Sequence, residues 1–389
     1  MKHTTFTLVG GMLLSGVCGA AAAQSNVSVY GMVDAGVAYS SNQKGNSNTY
    51  LRSGSKDGAR LGFKGTEDLG NGLKALFQLE AGFNLDDGTA AQSGSLFNRA
   101  AFVGLSDKRL GTLTAGRQYA PYFTFLNPLG PVPVVTGATG AHPGDIDGFD
   151  ITVRNNNSIK YMSPEWRGAA FGLMVASGEQ AGHQGSGSAM SAALKYDVAN
   201  WRYALGYQVL KNGPLQATWD PSSSSSFSKS PINTGYLSAR EVQYLAAAVH
   251  YQQGALGLGG SLSNVQYRPN ASSRFADTAI FNTAAVRSTW QTGTPWLLGA
   301  GYAYTRATSA NGISDRASYR QLSLMQSYWL SKRTVIYILE ANQKARGKTL
   351  ASNGVTQIDA VAVVGDSQVG TPSSNGSQNV FTVGLRHSF

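Results

Sequence analysis

Residues 59–80 read ARLGFKGTEDLGNGLKALFQLE. From Leu73 to Phe83 the odd positions are Leu73, Ala75, Phe77, Leu79, Ala81 and Phe83. The even positions are Lys74, Leu76, Gln78, Glu80 and Gly82. A helix would bring Leu73, Leu76 and Phe77 to one face, but Glu80 and Asn84 follow on that face and spoil it. Period 2 fits and period 3.6 does not, so the stretch predicts strand, short turn, strand. It carries Arg60, Lys64, Lys74 and Glu80 all the same. The question is where a strand can keep so many charges wet.

The same alternation recurs outward from there. Val27, Val29, Val33 and Val37 alternate with Ser28, Tyr30, Met32 and Asp34; Trp201, Tyr203, Leu205 and Tyr207 alternate with Arg202, Ala204, Gly206 and Gln208. Strands are expected near 27–40, 54–65, 72–84, 96–106, 111–118, 151–163, 168–178, 189–198, 200–211, 239–251, 255–266, 278–291, 295–307, 317–329, 334–345 and 379–389. The faces of 241–251 and 317–329 are ambiguous by parity. Connectors alternate between short (TEDLGN, SDKRL, PEWR, QQG, QTG, LSKR) and long, such as PSSSSSFSKSPINTG.

Composition narrows the class. Only 13% of the 389 residues are charged, against about a quarter in an ordinary soluble domain, while Gly numbers 47 and Tyr 18. Residues 1–23 have a charged start, an apolar stretch from Phe6 to Val17 and a small-residue end at Ala21–Ala23, the pattern of a cleaved secretory leader. Beyond it no apolar run reaches the roughly 18 residues that a spanning helix needs. A closed β-barrel is the other way to cross a bilayer. The expected fold is all-β: a 16-stranded antiparallel transmembrane barrel over 24–389, with short periplasmic turns and long external loops. A soluble β-sandwich would share the alternation but not the scarcity of charge.

Cys18, the only cysteine, lies inside the leader, so the mature chain has no disulfide or thiolate chemistry. Removing Lys2 takes the net charge from +10 to +9. The cations are scattered, and an exported address argues against nucleic acid as partner. His142, His183, His250 and His387 show no metal spacing, and neither HExxH nor GxSxG occurs. No cofactor, metal or catalytic residue is expected.

The segments SVYGMVDAG, RLGFKGTEDLGNGLKALFQLE, FNRAAFVGLSDKRLGTLTAGRQY, NSIKY and the final Phe389 resemble the trimeric general porins of Gram-negative outer membranes, in their neisserial and β-proteobacterial branch. The likeness implies a homotrimer in the outer membrane, among lipopolysaccharide and outer-membrane lipid. It implies passive diffusion of small hydrophilic solutes and ions through a water-filled channel. It also implies that Phe389, on an amphipathic last strand, is the insertion signal read by the barrel-assembly machinery.

A lipid-facing Arg or Lys at mid-membrane costs on the order of 2–4 kcal/mol, so strand charges should face the lumen. Residues 119–150, stiffened by five prolines, are too long for an idle connector. In porins the third external loop folds into the lumen, and this is the third. Carried over by the motifs ARLGFKG, RAAFVGL and VRNNNSIKY, Arg60, Arg99 and Arg154 are the expected basic wall of the constriction. Asp145, Asp147 and Asp150 are its expected acidic loop. Other lumen-facing candidates are Asp34, Lys64, Lys74, Glu80, Lys160, Arg202, Glu340 and Arg386. The balance predicts a weak preference for anions. A substrate-specific channel or a barrel enzyme are the rival readings. The apolar run 360–365, AVAVVG, falls inside the long loop 346–378 and is left open: either the loop packs back or the strands extend.

Overall fold

Sixteen wall strands run antiparallel and close on themselves in the computed structural model, which describes residues 26–150, 153–179, 181–183, 185–212, 230–365 and 370–389. The expected leader and the Ser-rich run 221–229 lie outside the described residues. The walls on one side are β1 (Asn26–Gln43), β2 (Asn46–Ser53, resumed at Arg60–Gly70), β3 (Leu73–Gly82), β4 (Ala100–Asp107), β5 (Gly111–Gln118) and β6 (Asn155–Met162). Then come β7 (Ala169–Ala176), β8 (Ala189–Val198), β9 (Trp201–Lys211), β10 (Glu241–Gln253) and β11 (Leu256–Arg268). The rest are β12 (Ala279–Gln291), β13 (Trp296–Ala307), β14 (Ser318–Trp329), β15 (Thr334–Arg346) and β16 (Ser377–Ser388).

Closure is made by β1. Its start pairs with β2, Asn26 opposite Thr66 to Met32 opposite Arg60, and its later part pairs with β16, Met32 opposite Ser388 to Ser40 opposite Val380. Gly31 and Phe389 exchange two backbone hydrogen bonds, of 3.0 and 3.1 Å. The register leaves no unpaired edge, as a bilayer requires.

Two departures from the expected strand boundaries shape the wall. The strand expected at 54–65 is instead two pieces with 54–59 turned inward between them. Gly54, at φ 69°, begins that break, and Ser55 O accepts hydrogen bonds from Thr139 N and Oγ1. The turn expected over TEDLGN shrinks, because β2 continues to Gly70. Asn71 and Gly72, at φ 52° and 86°, then form the two-residue turn that matches strand twist.

Faces follow the alternation where the lumen is wet. Val27, Val29, Leu61, Phe63 and Val103 point outward and are exposed, while Asp34, Gly36 and Glu80 point in and are buried. At the periplasmic ends, Trp201 and Tyr251 (centroids 4.5 Å apart) and Trp296 and Tyr328 (5.0 Å) form part of an aromatic belt. Glu340 corrects the sequence reading. It is exposed on the outer face with Ile336, while Tyr337, Leu339 and Ala341 point in. The inner side of β14 and β15 is packed by the loop 119–150, Val135 burying against Met325, Tyr337 and Leu339. There apolar does not mean outward, and parity by polarity fails.

That loop opens with a short helix, Pro121–Leu126, and crosses the barrel. Leu126 and Tyr122 sit against Gly206, where an added Cβ would lie 2.8 Å from Leu126 Cδ1. Arg287 Nε donates to Leu129 O at 2.9 Å and Gln321 Nε2 to Ala141 O at 2.5 Å. The loop therefore lines β9 to β15 from within and leaves open space beside β1 to β4.

The run 360–365 packs back into the barrel: Ala362, Val363 and Val364 are buried. The inward amide of Gln343 accepts from Val363 N at 2.7 Å and donates to Val363 O at 2.6 Å. Gln378 Oε1 accepts from Val364 N at 2.7 Å.

Candidate pore constriction

The open space is a lumenal cavity of about 300 Å³ whose lining includes Tyr50, Arg52, Lys56, Asp57, Arg99 and Asp150. The cations are delivered by strand geometry. On β2, Arg52, Arg60 and Lys64 share the inward parity and descend one wall from the external side, Arg60 and Lys64 about 13 Å apart at roughly 3.3 Å per residue.

Arg99, just before β4, is buried and its Nε donates to Glu80 Oε1 at 2.6 Å, a charge-assisted bond. Glu80 Oε2 also accepts from Tyr30 Oη at 2.8 Å, and Lys64 Nζ sits 5.2 Å from the Tyr30 ring. Arg60 approaches Met32 Sδ at 3.8 Å. Arg154, just before β6, donates from Nε to Tyr119 Oη at 3.1 Å and lies 5.4 Å from that ring. Lys160 Nζ donates to Tyr119 O at 3.0 Å, so one tyrosine holds both cations.

A second network lies on the β16 side. Arg386 Nη1 is 2.8 Å from Asp57 Oδ2 and its guanidinium lies 5.2 Å from the Trp329 ring. Asp34 is fully buried, accepting from Asp57 N at 3.0 Å and from Tyr337 Oη at 2.6 Å. Lys74 and Arg202 stand apart from these groups, exposed near the periplasmic mouth, Arg202 3.7 Å from Asp197.

The three loop aspartates separate. Asp150 lines the lumenal cavity. Asp145, at φ 47°, accepts from Asp150 N at 2.8 Å and braces the loop's own turn. Asp147 has no exposure: it accepts from His142 Nδ1 at 2.8 Å and from Ser263 Oγ at 2.7 Å, against the wall rather than the open lumen. It is placed to anchor the loop.

The sequence reading missed Arg52. It is inward on β2 opposite Gly36, whose lack of a side chain leaves it room. Only 5% of it is exposed, and its Nε and Nη2 have no hydrogen-bond partner. The signal was present, since Leu51 and Arg52 alternate, but a strand begun at 54 hid it. Arg117 points inward to Asn98 O at 2.9 Å, Gln92 Oε1 at 3.0 Å and Asn156 Oδ1. No group of residues able to hold a metal ion occurs among the described residues.

What this arrangement does is set by water and charge. Cations on a wall facing a folded-in loop are an arrangement that can bias a wet passage by both width and charge. The comparisons fit a channel. The family of Gram-negative porins matches residues 10–348. Outer membrane porin protein 32 of Delftia acidovorans is 31% identical over 95% of this chain and 96% of its own length. An outer membrane porin protein of Bordetella pertussis is 38% identical over 184 residues, 43% of this chain and 46% of that one. Among solved structures, the anion-selective porin from Comamonas acidovorans superposes with a TM-score of 0.70 at 24% identity, covering 94% of this chain and all of that one. The chain is a channel-forming outer-membrane barrel and belongs to the Gram-negative porin family.

Proposed function

We propose that this porin passes small hydrophilic solutes and ions by passive diffusion with a preference for small anions, and that Arg52, Arg60, Arg99 and Arg154 form the basic wall of its constriction. The observation that carries the anion preference is Arg52. Its guanidinium lines the cavity with Nε and Nη2 unpartnered, whereas Arg99 is matched by Glu80 and Asp57 by Arg386. A buried cation without a protein acceptor favours a passing anion that can take its hydrogen bonds. The net charge supports the same sign. Asp150, which lines the same cavity, supplies charge of the opposite sign. The Comamonas acidovorans protein carries anion selectivity in its name. Purified protein in a planar bilayer under a tenfold salt gradient should give stepwise conductance with a reversal potential of anion sign. A cation sign would sink the anion preference.

The remaining assignments are of the same standing. The porin works as a homotrimer without catalysis, is exported by a leader ending at Ala23, and is inserted through recognition of Phe389. The motif likeness and the exposed Phe389 ring support them. N-terminal sequencing of the mature protein and its mass in mild detergent test the first two.

A further inference from the structure

One cation on the wall behind the loop 119–150 has no counter-ion. Arg287 points inward on β12 with 6% of its surface exposed. Its Nε is committed to Leu129 O at 2.9 Å, while Nη1 and Nη2 have no partner. Four of the five N–H groups of the guanidinium are therefore buried and unmet. Among the described residues Arg287 forms no ion pair. In register it stands between Gly259 of β11 and Gly301 of β13, and Ser323 of β14 is opposite Gly301. The same row continues to His250 on β10 and Arg202 on β9, so no counter-charge comes from that side.

From the loop, His142 faces the same space and is 2% exposed. Its Nδ1 lies 2.8 Å from Asp147 Oδ2, and its Nε2 has no partner. Between loop and wall is a slot of about 20 Å³ whose lining includes Leu129, His142, Arg287, Gly301 and Ser323. That is more than the roughly 10–15 Å³ one water-sized occupant needs. Gly301 keeps it open, since an added Cβ there would meet nothing nearer than Val286 O at 3.8 Å. Ser323 Oγ accepts from Gln321 Nε2 at 3.4 Å and so keeps its own proton to give.

A water in the slot would fill the space and leave the charge. Asp147 does not supply the missing charge, being held by His142 and by Ser263 Oγ at 2.7 Å. We propose that a single halide ion, chloride in physiological salt, occupies the slot and staples the loop to β12 and β14. It accepts from Arg287 Nη1 and Nη2 and from Ser323 Oγ, and a charged donor makes each such bond stronger. His142 Nδ1 gives its proton to Asp147, so Nε2 donates only from the doubly protonated ring. Halide and proton are therefore taken up together, and charge balances: Asp147 against the imidazolium, halide against the guanidinium. The groups around the ring are Asp147 and Asp145 in the loop, Arg287 on β12, Ser263 on β11 and Gln321 on β14, Asp145 through its N–H to His142 O at 2.6 Å. The slot lies behind the loop, apart from the lumenal cavity that Arg52 lines.

Bromide is the probe. Crystals grown in gluconate and soaked in bromide should show an anomalous peak in the slot, against Arg287 and Ser323. A slot holding only water would overturn the site. In non-ionic detergent at fixed ionic strength, amide exchange over 129–146 should be slower in bromide than in gluconate, about tenfold at ten times the Kd. Affinity should rise from about pH 8 to about pH 6, where histidine takes its proton. Equal exchange in the two salts, or an affinity that ignores pH, would overturn the proposal. Arg287→Gln also breaks the bond to Leu129, so the deciding variant is Gly301→Val, which fills the slot and keeps both wall donors. It should abolish the bromide effect, and an effect that survives it would place the ion elsewhere. A bromide peak at Arg52 with none in the slot would uphold the anion preference of the channel and sink this site alone.

Discussion

Arg99 Nε and Glu80 Oε1 lie 2.6 Å apart, with side-chain exposures of 6% and 9%. The pair is formed across the β3–β4 boundary, and Glu80 is held on its other side by Tyr30. Arg99 therefore contributes little net charge to the lumen, although it stands in the wall. Replacing it with Gln should cost about 3–5 kcal/mol of barrel stability, the scale for breaking a buried pair. It should move the reversal potential only slightly towards cations. Glu80→Gln, which leaves Arg99 unmatched, should move it further towards anions. Urea unfolding in detergent and a bilayer salt gradient measure the two effects. A large cation shift in Arg99→Gln would show that the pair is open in the conducting state.

Arg52 should behave in the opposite way. Its Nε and Nη2 have no protein partner to strand, so Arg52→Gln should leave the unfolding midpoint within about 1 kcal/mol of the parent. Its full charge leaves the lumen, so the anion-to-cation permeability ratio should fall severalfold, and more than for Arg99→Gln. An unchanged ratio would remove Arg52 from the selectivity filter.

These two arginines also show what the sequence could and could not tell. Arg60, Lys64 and Glu80 were legible because β2 and β3 face open water on one side and lipid on the other, so polarity marks the face. Arg52 was hidden by the break at 54–59, which depends on Thr139 reaching Ser55 across 84 residues. Glu340 was misplaced because the inner side of β15 is packed with Val135, so its inward residues Tyr337, Leu339 and Ala341 are not the polar ones. Asp147 read as one of three equal aspartates. Its role turns on Ser263, 116 residues away, a contact no local pattern encodes. The barrel is written in short-range alternation. The loops that furnish its interior are written in long-range contacts.

Gln343 makes the next prediction. Its amide both accepts from and donates to the backbone of Val363, fixing the apolar run inside the barrel. Gln343→Ala strands a buried N–H and C=O, at about 1–3 kcal/mol for a group left unsatisfied. Amide exchange at 360–365 should speed up, about thirtyfold for 2 kcal/mol. Deleting 351–364 should raise single-channel conductance, because the buried run from Ala360 to Val364 leaves the barrel interior with it. Unchanged conductance in the deletion would place the run clear of the ion path.

The seam between first and last strands makes the final prediction. Gly31 exchanges backbone hydrogen bonds with Phe389, and the terminal ring covers it so closely that an added Cβ would lie 2.3 Å from Phe389 Cζ. That ring remains 48% exposed on the lipid side. Gly31→Val must therefore push the ring off the seam, at roughly 1–3 kcal/mol for an overpacked site. Folding into vesicles should slow, and the unfolding midpoint should fall. Phe389→Ala alone removes apolar cover but leaves the backbone pair. In the double variant the collision with the ring disappears, while Arg60 O, at 2.8 Å from the same Cβ, remains. The losses should therefore be less than additive, by on the order of 1 kcal/mol for residues in contact. Strict additivity in that cycle would mean that the ring does not rest on Gly31 in the folded barrel.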